Sequence, residues 1–187
     1  MINIVLILFT SISFSAFYDV GDMILYEHQT LPLNVCYGDY PSESFSLLDL
    51  KGKVIIFGMT ASWWPTTCTT SLEALLNVFG EDDRVVIFEN LDDPGQPYSC
   101  QQWGALGEEN IPLIVDDGEG HLLYNLFAID ENFASRALID HNMIFRYYSS
   151  SSSNVALINV INQILVEMES IPGDINSDYT VDILDVV

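Results

Sequence analysis

Cys68 is the residue of this sequence best placed to do chemistry. It follows an unbroken apolar run over 54–59, VIIFGM, and precedes helical spacing at Leu72, Leu75, Leu76 and Phe79. Thr66 and Thr67 offer N-cap hydroxyls between the two, and Glu73 suits the early turns of a helix dipole. The pattern therefore places Cys68 on the first turn of a helix, just past the carboxyl end of a buried strand. A thiol there is ionised more easily, and open α/β sheets carry their chemistry at that end. An inert cysteine that only fills space is the competing reading. The other two cysteines are Cys36, in strand-like LPLNVCY, and Cys100, at the start of a helical CQQWGALGEE. Three cysteines leave at least one thiol unpaired within the monomer and are too few for a disulfide scaffold.

Positioning such a thiol takes a buried sheet, and 187 residues suffice for one well-packed domain with appendages. Twenty-seven acidic residues against five Lys and Arg give a net charge of −22. A surface that negative repels phosphate backbones and anionic lipid, which excludes both nucleic acid and anionic lipid as partners. Residues 1–16, MINIVLILFTSISFSA, read as a secretory signal, with Ser13 and Ser15 suited to a cleavage site. The apolar run is too short to span a bilayer comfortably, so no membrane association is expected after cleavage. The expected location is outside the cytoplasm: secreted, periplasmic or at the cell surface. Residues 17–169 then form the folded domain and 170–187 a distinct tail.

The stretch FSLLDLKGKVIIFGMTASWWP resembles the opening of the redoxin branch of the thioredoxin fold, which includes peroxiredoxins and exported cytochrome-maturation-type thioredoxins. There an L-x-D-x-K-G-K turn leads into the central strand and an A-S-W-C-x-x-C motif opens the helix. Downstream, RVVIFENLDD (84–93) resembles the next parallel strand and IPLIVDDGEGHLLYNLFAI (111–129) the family's substrate-loop segment. SRALIDHNMIFRYY (135–148) resembles its antiparallel hairpin, and VALINVINQILVEM (155–168) its closing helix. The resemblance implies an α/β, thioredoxin-like fold, a central mixed sheet with helices on both faces. It further implies thiol-based redox activity on a protein thiol, a disulfide or a peroxide.

The active-site motif departs from that pattern. Aligned on Ala61-Ser62-Trp63, the family's nucleophilic cysteine is Trp64 and its resolving cysteine is Thr67; Cys68 falls one residue later. Two-thiol exchange needs an attacking thiolate and a close second sulfur, and this loop has one. Against the peroxiredoxin pattern P-x-x-x-T-x-x-C, the Thr position is Pro65, with Thr66 and Thr67 as neighbouring donors. Arg136 is the arginine that this resemblance implies, beside the site; a surface ion pair is its alternative role. Some peroxiredoxins keep a resolving cysteine where Cys100 stands. A Cys68–Cys100 disulfide would then be a catalytic pair or a static staple worth about 3–4 kcal/mol on the chain-entropy model. The cis-proline that presents backbone to substrate would stand at Ala134. With these losses, a binding module with a vanished active site is the alternative function, its groove lined by Trp63, Trp64 and Trp103.

His28, His121 and His141 read as surface residues without metal-ligand spacing, and DDGEGH (116–121) as a hairpin turn between strands. The tail, IPGDINSDYTVDILDVV, sets Asp174, Asn176, Asp178, Thr180, Asp182 and Asp185 at positions 1, 3, 5, 7, 9 and 12 of a calcium loop. It resembles the first half of a dockerin repeat, with Tyr179 where glycine makes the sharp turn. Calcium is the ion such a loop would hold, and a cohesin-like partner is expected only of a complete dockerin.

Overall fold

The computed structural model describes residues 16–64, 67–107, 112–130, 132, 134–151 and 153–169, and of Thr67 and Cys68 only the backbone. The expected leader, but for Ala16, and the expected calcium loop lie outside the described residues. So does Pro65.

A seven-stranded sheet carries the fold, in the order β2-β1-β5-β4-β3-β6-β7. Its centre is β3 (Val54–Ala61), all eight residues of which are buried, as an unbroken apolar run requires. β4 (Val85–Asp92) pairs parallel to β3, and β5 (Leu113–Asp116) parallel to β4. On the other side, β6 (Ser135–Ile139) runs antiparallel to β3 and turns into β7 (Phe145–Ser149). β1 (Leu33–Tyr37) lies antiparallel to β5, and the two-residue β2 (Ser44–Phe45) closes that edge. The α/β class, the parallel centre and the antiparallel hairpin are as expected.

Alternation along the strands sorts side chains to two faces. Val54, Ile56 and Leu138 meet Leu72, Leu75 and Phe79 of α2 (Thr67–Phe79) and Leu157, Ile161 and Ile164 of α5 (Val155–Glu169). Ile55, Phe57, Met59 and Phe88 meet the opposite layer. That layer holds Leu123, Leu126 and Phe127 of α4 (Leu122–Phe127), with Tyr18 and Ile24 from the N-terminal segment around α1 (Tyr26–Gln29). Burying each such side chain contributes about 2 kcal/mol, so the sheet holds its strand ends in place between the two helix layers.

The turn feeding β3 owes its form to a capping box. Ser46 N donates to Asp49 Oδ2 at 2.8 Å, and Asp49 N donates to Ser46 Oγ at 3.4 Å. The segment 116–121 departs from expectation: β5 passes into α4 rather than into a second strand. The cause is Asp117, whose carboxylate accepts from Leu123 N at 2.7 Å and Tyr124 N at 3.1 Å, capping the helix start.

Candidate functional site

The carboxyl ends of β3 and β4 lie side by side, with Ala61 opposite Asp92. β3 runs out into Ser62-Trp63-Trp64, and α2 begins at Thr67. Ser62 N donates to Asp92 O at 3.0 Å, while Ser62 Oγ donates to the carbonyls of Asp93 and Gln96. These bonds stitch the loop after β3 to the loop after β4. Trp63 and Trp64 are exposed and meet edge to face, with ring centroids 5.6 Å apart. Cys68 is the second residue of the 13-residue α2, at the helix N-terminus and beyond the carboxyl end of the central strand.

Beneath the first two turns of α2 the sheet is polar. Gly58 of β3 stands in register between Arg136 of β6 and Glu89 of β4, and both flanking side chains are buried. Thr69 Oγ1 donates to the Glu89 carboxylate at 2.9 and 3.0 Å. Arg136 Nη1 donates to Ser71 Oγ and to Asn154 Oδ1, and Asn154 Nδ2 returns a bond to Ser71 O at 2.8 Å. Burial pushes Glu89 up to about 7, against the opposing pull of Thr69 and Trp103; the nearby Glu73 adds to the rise. A group poised near neutrality, hydrogen-bonded to the residue after Cys68, is a feature of catalytic sites.

The cysteines pair otherwise than proposed from the sequence. Cys36 and Cys100 form a disulfide, Cα to Cα 5.9 Å, tying edge strand β1 to the first residue of α3 (Cys100–Gly104). Cys100 is therefore not joined to Cys68, which of the three cysteines is the one outside this disulfide. The physical reason is topological: β1 joins the sheet beside β5, and α3 packs over both. Gln101 Nε2 reinforces the join by donating to Cys36 O at 2.6 Å. Closing the loop between cysteines 64 residues apart stabilises the fold by about 4 kcal/mol on the chain-entropy model.

Arg136 is a buried residue of the bed under α2 rather than a partner in a surface ion pair. Trp103 is 1% exposed among Leu91, Cys100 and Ile114, so it cannot share an open surface with Trp63 and Trp64. Ala134 directly precedes β6 and donates its N–H to Met59 O at 2.9 Å, with φ +67. It precedes β6 as expected, but a proline could neither hold that φ nor donate that N–H, so the backbone here is not that of the family's cis-proline.

The histidines differ most from the sequence reading. His141 is buried, and His28 hydrogen-bonds the Tyr18 hydroxyl at 2.6 Å. His121 Nδ1 donates to Asp92 Oδ1, across 29 residues of sequence. One ligand atom each from Asp92, Asp93 and His121 lies within 4.8 Å of the others. The Asp92 hydrogen bond raises the His121 pKa. Burial raises Asp92 in turn, outweighing the imidazole's pull. Both Asp93 and His121 hold positive φ, +49 and +46, at a cost of about 1 kcal/mol or more each. No sequence spacing announces this cluster; only the β4–α3–β5 crossover joins its two halves.

No protein-family model and no curated protein matches the chain. Solved structures do. A putative protein disulfide isomerase from Bacteroides thetaiotaomicron superposes with a TM-score of 0.65 at 16% identity, covering 84% of this chain and 97% of its own. The fold is thioredoxin-like. The exposed lipoprotein thioredoxin of Streptococcus pneumoniae matches with a TM-score of 0.56 at 19% identity, over 71% of this chain and 98% of its own. A putative thiol:disulfide interchange protein from Chlorobium tepidum gives 0.55 at 15% identity, over 80% and 96%. At such identities the likeness carries the fold, and the chemistry has to be argued from this chain's own residues. Among the described residues, no helix is long and apolar enough to cross a membrane.

Proposed function

We propose that this protein is a one-thiol oxidoreductase of thioredoxin fold, acting on protein thiols and disulfides through Cys68. One observation carries the reading. With Cys36 and Cys100 bound to each other, the remaining cysteine sits at the N-terminus of α2, at the carboxyl end of the central strand. The helix terminus favours its thiolate. Buried Glu89, near neutrality and bonded to Thr69, is the group in reach of α2 that takes up a proton at working pH.

The step that follows from one sulfur is exchange without an internal resolver. The Cys68 thiolate attacks one sulfur of a substrate disulfide. A Cys68–substrate S–S bond forms, the substrate's own S–S bond breaks, and its second sulfur leaves as a thiolate that takes a proton. An external thiolate then attacks the mixed disulfide and releases Cys68 as a thiolate. Peroxide is the other substrate class: Cys68 would be oxidised to a sulfenic acid as the O–O bond breaks and water leaves, and an external thiol would condense with it.

The intact Cys36–Cys100 bond fits an oxidising, extracytoplasmic setting, as does the exposed lipoprotein among the structural neighbours. A binding module without chemistry is the second reading, favoured by the exposed Trp63–Trp64 pair where the family's nucleophilic cysteine stands. Under either reading the acidic tail is the candidate calcium loop, and a cohesin-type partner belongs to a completed repeat.

Incubation with glutathione disulfide, followed by intact-mass and peptide mass spectrometry, separates the two. The exchange reading expects one glutathione adduct, mapped to Cys68 and absent from Cys68→Ser. A folded protein that takes up no adduct over hours at pH 8 would leave the binding module.

A further inference from the structure

Asp92, Asp93 and His121 form a group outside the thiol chemistry, at the carboxyl end of β4 where open α/β sheets hold ligands. Three carboxylates, those of Asp92, Asp93 and Asp117, interact there with a single imidazole. Asp93 Oδ2 accepts from Trp63 Nε1 at 3.2 Å, which orients that carboxylate from outside, as second-layer hydrogen bonds orient metal ligands. The three candidate atoms lie within 4.8 Å of one another, so small side-chain rotations that open the His121–Asp92 contact would bring them to the usual bond lengths of about 2.0–2.2 Å around a single ion.

A separate observation points to a ligand. Asn90 lies two residues before Asp92 on the same face of β4, is 1% exposed, and approaches Asp117. Neither end of its amide meets a partner at full hydrogen-bond geometry. Its polar neighbour Asp117 leaves that amide incompletely bonded, and the water shell of an ion at the carboxyl end of β4 would complete it.

We propose that Asp92, Asp93 and His121 ligate a divalent transition-metal ion of the zinc or manganese class. The imidazole sets the class, since calcium and magnesium take oxygen ligands while nitrogen with carboxylates suits zinc and its neighbours. The two carboxylates neutralise the ion, and Trp63 couples the site to the loop that leads to α2. The proposal does not depend on Cys68 being reactive.

The test is isothermal titration of the full chain carrying Cys68→Ala, so that no thiol contributes, with zinc chloride and then manganese chloride. Tryptophan emission is followed in parallel. One zinc per chain is expected outside the C-terminal tail, with a change in emission from Trp63. His121→Ala and Asp93→Asn should each weaken that event at least about tenfold and abolish the emission change. Thermal unfolding in EDTA checks that the variants fold; Asp93→Asn, changing a partly exposed side chain, serves if His121→Ala does not. Millimolar calcium should leave the zinc event in place. Absence of saturable zinc binding, binding unchanged in Asp93→Asn, or displacement by calcium would each overturn the assignment.

Discussion

Glu89→Gln should reverse the order of stability between acid and alkaline pH. Glu89 is fully buried on β4 beneath α2, and its carboxyl titrates at about 7 rather than 4.5. The raised folded value fixes the sign. Between those two pH values the folded chain holds a proton that the unfolded chain has released. The stabilising contribution is therefore complete below 4.5 and is lost as pH rises through 7. The shift corresponds to about 3 kcal/mol in all, of which about 2–3 kcal/mol falls between pH 5 and pH 8.

Glutamine keeps the shape and an oxygen for the Thr69 hydroxyl, but it cannot ionise. Any cost of its amide is the same at every pH. Asp92 and Asp117, whose pKa values burial also raises, are present in both proteins and cancel in the comparison. Urea denaturation at half-unit intervals from pH 5 to pH 8 is the assay. The variant should gain on the wild type by about 2–3 kcal/mol across that range, or roughly 5–10 °C in Tm for a chain of this size. A difference between the two proteins that stays flat with pH would refute the buried, near-neutral carboxyl, and with it the proton acceptor assigned to the site.

Replacing both Cys36 and Cys100 by serine should cost about 4 kcal/mol, read as a lower urea midpoint, since the loop they close spans 64 residues. The same variant should keep the Cys68 adduct chemistry, which mass spectrometry checks directly. Gly104→Ala should destabilise by about 1–3 kcal/mol. A Cβ there would sit 2.4 Å from the Tyr37 ring, forcing α3 away from β1 beside the disulfide; thermal unfolding measures the loss.

How far the sequence foretold these features depends on the range of the interaction. Short-range signals carried the fold. The apolar run at 54–59 became the fully buried β3, and the leucine spacing after Cys68 became α2. The turn read before β3 is there too, held by the Ser46–Asp49 capping box that the structure adds. Contacts between distant residues were not legible. Nothing in the spacing of three cysteines chooses Cys36 over Cys68 as the partner of Cys100; the placement of β1 beside β5 decides it. The turn at 116–121 was misjudged because Asp117 reads equally as a turn former and as a helix cap. Only its bonds to Leu123 and Tyr124 distinguish the two. Glu89 follows the apolar run 85–88 and stays fully buried, and a carboxyl at such a position calls for a partner and shifts its own titration.

Cys68 itself is tested most directly by its rate of alkylation with iodoacetamide as a function of pH, followed by peptide mass spectrometry without reduction. The account predicts one alkylated thiol per chain, at Cys68, with Cys36 and Cys100 recovered as a linked pair. Its rate should rise through a midpoint below the ordinary thiol value of about 8.5. A Cys68 that stays unmodified in the folded protein, or whose midpoint lies above 9, would contradict a one-thiol oxidoreductase.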